Sequence, residues 1–571
     1  MLNKQASAPL CPNCNIEMVK RNNKKTGYPF WGCVNFRKGC RANYSYSYGK
    51  KMIAKVEMDY SKFIPSSMQL AIKDSFVNTG LNIQIRASAG TGKTVTMAWL
   101  LQFAKEYSNI ACMAFNTHSA DDFETKIPAY ATSGTTHRFA LKNFNGVDID
   151  EDKVKKEIDL YFHEEVDSLK ASNRELWDRL DAQKSAMAKL VGLIKNTLTF
   201  PAEENLQKLA EKYNVEYEPK DAEWFFGTVM YIFDMGLPET VSDIHVIDLD
   251  DMIYLCAIGI VPCRQYDLII LDEAQDTNDM TMEFIRLSLK PDGRIIMVGD
   301  ENQSIYAFRG ANTDAMDVLE KMFSSKKLPL SISYRQPKAG VQFVNKLFPD
   351  IEHYAAENAI EGAVHENFDY EKFLPEIMSI LENSATKNEE NLALCRNNAP
   401  LVKPVFQLIR NGIKAVIKGK DIGTQLRNKI VYISNKYHCE TIGDFFSAVE
   451  LYETDQIAKY TRQKAKQSAF EKLSDDCETL LALADDCEQI NDIFRKIDKI
   501  FSDKTNKAVV FSSIHKAKGL EADNVFIIRP DLMPSSMAST EEEIKQERNA
   551  MFVAYTRQKK NLYILVENKK E

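Results

Sequence analysis

The residues best placed to do chemistry form one short run, Ala87-Ser88-Ala89-Gly90-Thr91-Gly92-Lys93-Thr94. Small residues let backbone N–H groups curl round the β- and γ-phosphates of a nucleotide, and the start of a following helix adds its positive dipole end. Lys93 supplies a point charge for the terminal phosphates, and the Thr94 hydroxyl is placed for Mg²⁺. Such a loop needs a strand before it and a helix after it. Ile83 to Arg86 reads as the strand and Val95 to Phe103 as the helix. Ala87 stands where glycine is usual.

Two further apolar strands end in polar groups. Tyr266 to Leu271 stops at Asp272-Glu273-Ala274-Gln275-Asp276, and Ile295 to Val298 leads into Gly299-Asp300-Glu301-Asn302-Gln303-Ser304-Ile305-Tyr306-Ala307-Phe308-Arg309-Gly310. A carboxylate at the tip of a core strand is costly unless a metal or donor meets it. Asp272 is placed to hold Mg²⁺, and Glu273 to polarise an attacking water. Upstream, Gln69 carries one donor and one acceptor, which can match the two-sided edge of adenine. Two polar turns, Asn116-Thr117-His118 and Gly134-Thr135-Thr136-His137-Arg138-Phe139, serve either as surface loops or as phosphate contacts at the C-terminal edge of a parallel sheet.

A different chemistry is written near the N-terminus. Cys11-x2-Cys14-x18-Cys33-x6-Cys40 gives four thiolates able to converge tetrahedrally on Zn²⁺. So small a module buries little core, so the metal would supply folding free energy. Tyr28, Phe30, Trp31, Phe36, Tyr44, Tyr46 and Tyr48 alternate with Lys24, Lys25, Arg37, Lys38 and Arg41, a mixture suited to stacking on single-stranded bases. The same aromatics could instead pack round the metal. The stretch resembles the zinc-finger repeats of type IA topoisomerases, notably in Phe30-Trp31-Gly32-Cys33, with Asn15 where those have glycine.

Charge distribution points the same way. Residues 1–62 hold twelve Lys/Arg against three Asp/Glu while the whole chain is at −8, so the remainder carries −17. A basic head on an acidic body suits an anionic polymer at the head. The other seven cysteines lack paired spacing, as reduced thiols do. No apolar run is long enough to span a bilayer, and Met1 to Leu10 lacks the apolar core of a signal peptide. A cytoplasmic protein with no membrane partner is expected.

Ala87 to Thr94, Asp272 to Asp276, Gly299 to Gly310, Ser333-Tyr334-Arg335 and Val553-Ala554-Tyr555-Thr556-Arg557 together resemble UvrD/Rep-type helicases of superfamily 1, from about Phe63 onward. Alanine also occurs at position 87 in that family. The resemblance implies an α/β fold of two RecA-like parallel-sheet domains, with ATP and Mg²⁺ in the cleft between them. It implies 3′-to-5′ movement on single-stranded DNA and the opening of tailed duplex. RNA stays open as a substrate, and protein partners are unknown. On this resemblance Gln69 and Tyr334 meet adenine, Gln303 senses the γ-phosphate, and Arg335 and Arg557 are arginine fingers. Gly519 lies near the γ-phosphate and Glu521 meets the ribose. Phe115, Thr136, His137, Tyr306, Phe308, Ser513 and His515 face DNA. Phe308 stands where tryptophan is frequent, and His118 where lysine is.

The expected division is a zinc finger over 1–50, a linker over 51–62, and a first RecA-like domain over 63–140 and 241–330. A helical insertion fills 141–240. The second RecA-like domain takes 331–427 and 501–571, with a reduced helical insertion over 428–500. Two other readings fit the same residues. One is a translocase that strips proteins from DNA without unwinding it. The other is a zinc-finger DNA-binding module with an inactive ATPase.

Overall fold

The computed structural model describes residues 18–22, 29–35, 43–45, 60, 63–305, 314–369, 372–384, 389–462, 467–501, 508–536, 538 and 540–566. Three short strands, β1 (Val19–Asn22), β2 (Pro29–Gly32) and β3 (Asn43–Ser45), form an antiparallel sheet near the N-terminus. Met18, Trp31 and Cys33 are buried beside it.

Six strands make the first large sheet: β4 (Ile83–Ala87), β5 (Ile110–Ala114), β6 (Ala131–Thr135), β7 (Tyr266–Leu271), β8 (Leu289–Gly299) and β9 (Lys326–Leu330). They lie in the order β9-β4-β8-β7-β5-β6, all parallel. The unbroken apolar runs in the sequence have a plain cause, since both faces are covered. Alternate residues of each strand go to opposite sides. Ile269 and Leu271 join Ala111, Met113 and Met297 in one core, while Leu268 and Ile270 join Ile85, Cys112 and Val298 in another.

That second core is closed by helices α1 (Ser67–Asn78) and α2 (Lys93–Leu100), through Ile72, Phe76, Met97 and Leu100. The first is closed by the helical insertion. Phe162, Phe225, Phe226 and Ile232 belong to the same continuous core as the strand residues, so the insertion is fused to the sheet. Each such buried side chain contributes about 1.5–3 kcal/mol by leaving water. The insertion's two ends are tied by a short parallel bridge, Asp148–Ile149 against Val246–Ile247. Beside it Lys195 donates to Asp248 at 3.0 Å and to Asp251 at 2.7 Å, and Lys153 reaches Asp251 at 2.7 Å. Burial opposes the Lys195 charge, but the two aspartates outweigh it and raise its pKa.

The second large sheet comprises β10 (Ala363–Asp369), β11 (Asn391–Cys395), β12 (Ala415–Ile417), β13 (Val509–Ser513), β14 (Ala522–Ile527) and β15 (Gln558–Val566). Their order is β10-β15-β14-β11-β13-β12, again all parallel. One face packs on the second helical insertion through Ala393, Cys395, Phe511 and Phe526. The other packs on helix α3 (Glu541–Tyr555) through Leu394, Ile527, Leu562, Phe552 and Val553.

Two boundaries differ from the sequence expectation. The second insertion's helices start at Lys420 rather than at residue 428, because Gly419, at φ +131°, lets the chain turn straight from β12 into a helix. Helix α2 starts at Lys93 rather than Val95, with Gly92 in the left-handed region at φ +75° as its N-cap. No described helix is long and apolar enough to cross a membrane.

Candidate active site between the two sheets

The phosphate loop hangs from the C-terminal end of β4. Gly90 and Gly92 both have positive φ, +72° and +75°, which lets consecutive N–H groups turn toward one point. A Cβ on Gly90 would lie 2.7 Å from both Ser333 Oγ and Arg335 Cβ, so glycine is required there on space as well. The loop is braced from within. Thr91 Oγ1 donates to the Ser88 carbonyl at 3.0 Å, and Thr96 Oγ1 to the Gly92 carbonyl at 2.9 Å. With α2 starting at Lys93, both Lys93 and Thr94 sit in its first turn, where orphan N–H groups and the dipole act together.

The neighbouring strands bring acids to the same edge. Asp272 follows β7 directly and is buried, its N–H continuing the sheet to the Met113 carbonyl at 2.9 Å. Asp272 Oδ1 accepts the Glu273 N–H at 2.9 Å, while Oδ2 has no hydrogen-bond partner among the described residues. Lys93 Nζ stands 3.4 Å from Glu273 Oε1, and Gln275 Nε2 donates to Glu273 Oε2 at 2.5 Å. From β8, Asp300 is held by its N–H to Gln275 Oε1 at 3.0 Å and accepts Gln303 Nε2 at 2.6 Å.

Electrostatics separate the two acids of the pair. Burial raises the Asp272 pKa, and the Glu273 charge raises it further. Burial also works against Glu273, but Lys93 and then Lys518 outweigh it and hold Glu273 ionised. A buried carboxylate with one unshared oxygen fits a divalent cation, whose charge would substitute for the missing partner. Asp272 fits such an ion by its chemistry, and the Thr94 hydroxyl in the first turn of α2 offers a second oxygen.

The opposite wall comes from the second sheet. Arg557, 1% exposed, donates from Nη2 to Gln303 Oε1 at 3.1 Å and from Nε to the Val553 carbonyl at 2.8 Å. Arg335 Nε lies 2.5 Å from Glu521 Oε2, and Lys559 shares that carboxylate at 3.2 Å. The Tyr334 N–H donates to the Gly90 carbonyl at 2.8 Å while its ring stays half exposed. Burial, then the neighbouring Arg335, pushes the Arg557 pKa down to about 9. An anion arriving among Lys93, Arg335 and Arg557 would relieve that repulsion. The site is built to want a phosphate.

Two family matches fall on these two halves. Residues 69–324 match the UvrD/REP helicase N-terminal domain, and residues 508–565 match the UvrD-like helicase C-terminal domain, together more than half of the chain. The chain belongs to the UvrD/REP helicase family. It is 23% identical over 556 residues to F-box DNA helicase protein 1 of Schizosaccharomyces pombe, covering 87% of this chain and 57% of that one. It is 21% identical over 625 residues to ATP-dependent DNA helicase Rep of Buchnera aphidicola subsp. Acyrthosiphon pisum, covering 87% and 94%. Against ATP-dependent DNA helicase Rep of Escherichia coli the identity is 24%, over 59% of this chain and 53% of the relative. The chain thus spans just over half the length of two of these relatives.

The residues expected to face DNA lie at the C-terminal ends of strands in the same two sheets. Phe115 follows β5, Thr136 follows β6, and Ser513 ends β13 with His515 just beyond. Thr136 and Ser513 are buried; Phe115, His137 and His515 are half-buried. Burial lowers the pKa of His137, and burial with Arg396 brings His515 down to about 4. Gly519 adopts φ +85° with open space around it. Gln69 is buried behind α2, its Oε1 accepting the Ser66 N–H at 2.9 Å and its Nε2 donating to Thr96 Oγ1 at 2.8 Å. Tyr306 and Phe308 lie outside the described residues, as do Cys11, Cys14 and Cys40. Cys33 is buried, and its sulfur accepts the Asn35 N–H at 3.3 Å.

Three residues with no role assigned from the sequence, Lys518, Asp276 and Asn549, complete the cleft. Lys518 Nζ reaches Asp276 Oδ2 at 2.5 Å and the Gln303 carbonyl at 2.7 Å. Asn549 Nδ2 donates to the carbonyls of Glu301 and Ser304 at 3.0 and 2.9 Å. These bonds cross between the two sheets' domains. Lys518 and Asp276 are 242 positions apart, and no local pattern joins them.

Proposed function

We propose that the chain hydrolyses ATP between its two parallel-sheet domains and uses the cycle to move 3′-to-5′ along single-stranded DNA and separate tailed duplex. The observation that carries this reading is the Arg557–Gln303 contact. It places a buried guanidinium from the second domain within 3.1 Å of the amide beside Asp300 on the first. Lys93 and the loop N–H groups would bind the β- and γ-phosphates. Glu273, held ionised by Lys93 and Lys518, would orient a water and take its proton. Arg335 and Arg557 would meet the charge that develops on the transferred phosphoryl group. Mg²⁺ held by Asp272 and Thr94 would neutralise the phosphate oxygens. Gln69 would release one of its hydrogen bonds to read adenine, with Tyr334 stacking on the ring and Glu521 at the ribose.

Coupling needs two domain arrangements with different affinities for ATP and for DNA. The cross-cleft bonds of Lys518, Asn549 and Arg557 belong to the closed arrangement. Phe115, Thr136, His137, Ser513 and His515 on the strand edges would hold DNA on both sides of the hinge. At the N-terminus, Cys33 with Cys11, Cys14 and Cys40 would hold one Zn²⁺, and the N–H to sulfur bond from Asn35 suits a thiolate ligand.

The test is an ATPase and unwinding assay of the full chain on 3′-tailed, 5′-tailed and blunt duplexes. Unwinding from 3′ tails alone is expected. Unwinding from 5′ tails alone would overturn the polarity, and hydrolysis without strand separation would favour a protein-stripping translocase.

A further inference from the structure

Behind the phosphate loop runs a chain of buried hydrogen bonds that ends beside Arg557. Ser88 Oγ lies 2.8 Å from His353 Nδ1, His353 Nε2 lies 2.5 Å from Gln336 Oε1, and Gln336 Nε2 donates to the Tyr555 carbonyl at 3.2 Å. None of the four residues is more than 5% exposed. We propose that His353 is a positioning residue that locks the phosphate loop in register with the end of the helix carrying the Arg557 finger. This inference rests on the ATPase reading above and concerns how that site is assembled.

The direction of every bond in the chain follows from its far end. Tyr555 is the last residue of α3, where carbonyls lack intrahelical partners. The carbonyl can only accept, so the Gln336 amide must turn its NH₂ toward Tyr555 and its Oε1 toward the histidine. His353 Nε2 therefore carries the hydrogen, Nδ1 is bare, and the Ser88 hydroxyl donates to it. Burial and the nearby Arg335 hold the His353 pKa at about 4, consistent with a neutral ring of one fixed tautomer. The ring is further fixed by its edge-on contact with Phe552, at 6.0 Å between centroids, and by Asn345 Nδ2 donating to the His353 carbonyl at 2.8 Å.

Three members, His353, Gln336 and Tyr555, belong to the second domain, while Ser88 belongs to the phosphate loop. Within this relay only the Ser88–His353 bond spans the cleft, so it is the one that opening of the cleft would break. Arg335 immediately precedes Gln336, and Arg557 follows Tyr555 by two positions. One imidazole thereby sets both arginines against the loop.

The test compares affinity for MgADP with affinity for MgADP plus aluminium fluoride, which mimics the transferring phosphoryl group. It uses full-length wild type, His353→Phe, Ser88→Ala and the double variant, each with single-stranded DNA. The expected result is that His353→Phe leaves MgADP affinity within about twofold but weakens the aluminium-fluoride complex about tenfold, the size of one buried hydrogen bond. DNA-stimulated kcat should fall by a similar factor with little change in KM. The double variant should lose no more than the worse single one. Equal weakening of both complexes, or additive losses, would overturn the proposal, because a histidine that only stabilises the fold has no reason to favour the transition state. Should His353→Phe not fold, Ser88→Ala with the same pair of ligands decides. A wild type without DNA-stimulated hydrolysis would sink the helicase reading itself, whereas an active wild type with an unaltered ratio in the variants sinks only the lock.

Discussion

Lys518 and Asp276 form a buried ion pair, 2.5 Å between Nζ and Oδ2, that joins the second sheet's domain to the acidic turn of the first. Burial raises the Asp276 pKa, with the Glu273 charge adding to it, and the Lys518 charge is the main force against it. Removing one partner of such a pair strands the other and costs about 3–5 kcal/mol. In the proposed cycle the pair is made on closure, so that cost falls on closure. Lys518→Met should therefore lower DNA-stimulated ATPase a hundredfold or more, by the order of magnitude that energy implies. Combining it with Asp276→Asn should restore part of the rate. Steady-state ATPase of the three variants checks this, and an unchanged Lys518→Met rate would mean that the pair is not made during turnover.

Glu273 should be separable from nucleotide binding. Glu273→Gln keeps the side chain's shape and its bond to Gln275 but removes the base, so hydrolysis should fall by about 10²–10⁴. Binding of a fluorescent ATP analogue should persist, or tighten slightly as repulsion with the γ-phosphate disappears. Loss of both together would place the residue in binding rather than in chemistry.

Arg557 is a stricter case. Lysine keeps the charge but lacks the planar fork that bonds Gln303, Thr556 and the Val553 carbonyl at once. Arg557→Lys should cost about 10³-fold or more in kcat, within the range for arginine fingers, with a smaller change in KM for ATP. A KM effect as large as the kcat effect would show that the arginine binds ground state and transition state alike.

The Arg396–Glu547 pair sets an acid limit on stability. Arg396 grips Glu547 through Nε and Nη2 at 3.0 and 2.7 Å, and Ser535 N–H adds a bond at 2.9 Å. Burial works against the Glu547 charge, but the Arg396 bonds outweigh it and its pKa is lowered. A depressed carboxylate stabilises the fold above its unfolded pKa, about 4.3, and that stabilisation is lost as pH falls through the lower folded value. Glu547→Gln should unfold at lower temperature than wild type at pH 7, and the gap should hold down to about pH 4.3 and narrow only as pH falls from there through the lower folded value, down to about pH 2. Thermal melts across that range check it; a constant gap would mean the charge contributes nothing.

What the sequence displayed clearly was whatever is local. The loop Ala87 to Thr94, the acids after Leu271 and the turn after Val298 each follow an apolar run, and the structure puts them on adjacent strands β4, β7 and β8. Parallel sheets gather strand ends at one edge, so separate short patterns converge. Pairings across 242 or 265 positions, such as Lys518 with Asp276 or His353 with Ser88, left no trace in spacing. The fusion of the first helical insertion to its sheet was hidden for a related reason. A helix with one apolar stripe looks the same whether it faces other helices or a sheet.

Glu273 itself sits at φ +54° and ψ +42°, a left-handed conformation that costs a residue with a side chain about 1 kcal/mol or more. Glycine would take up that turn without strain and would also remove the carboxylate. Position 273 is thus where durability and activity pull apart. A library selected only for heat resistance would drift toward Glu273→Gly and away from turnover, and one selected for ATP consumption would hold the glutamate in its uncomfortable bend.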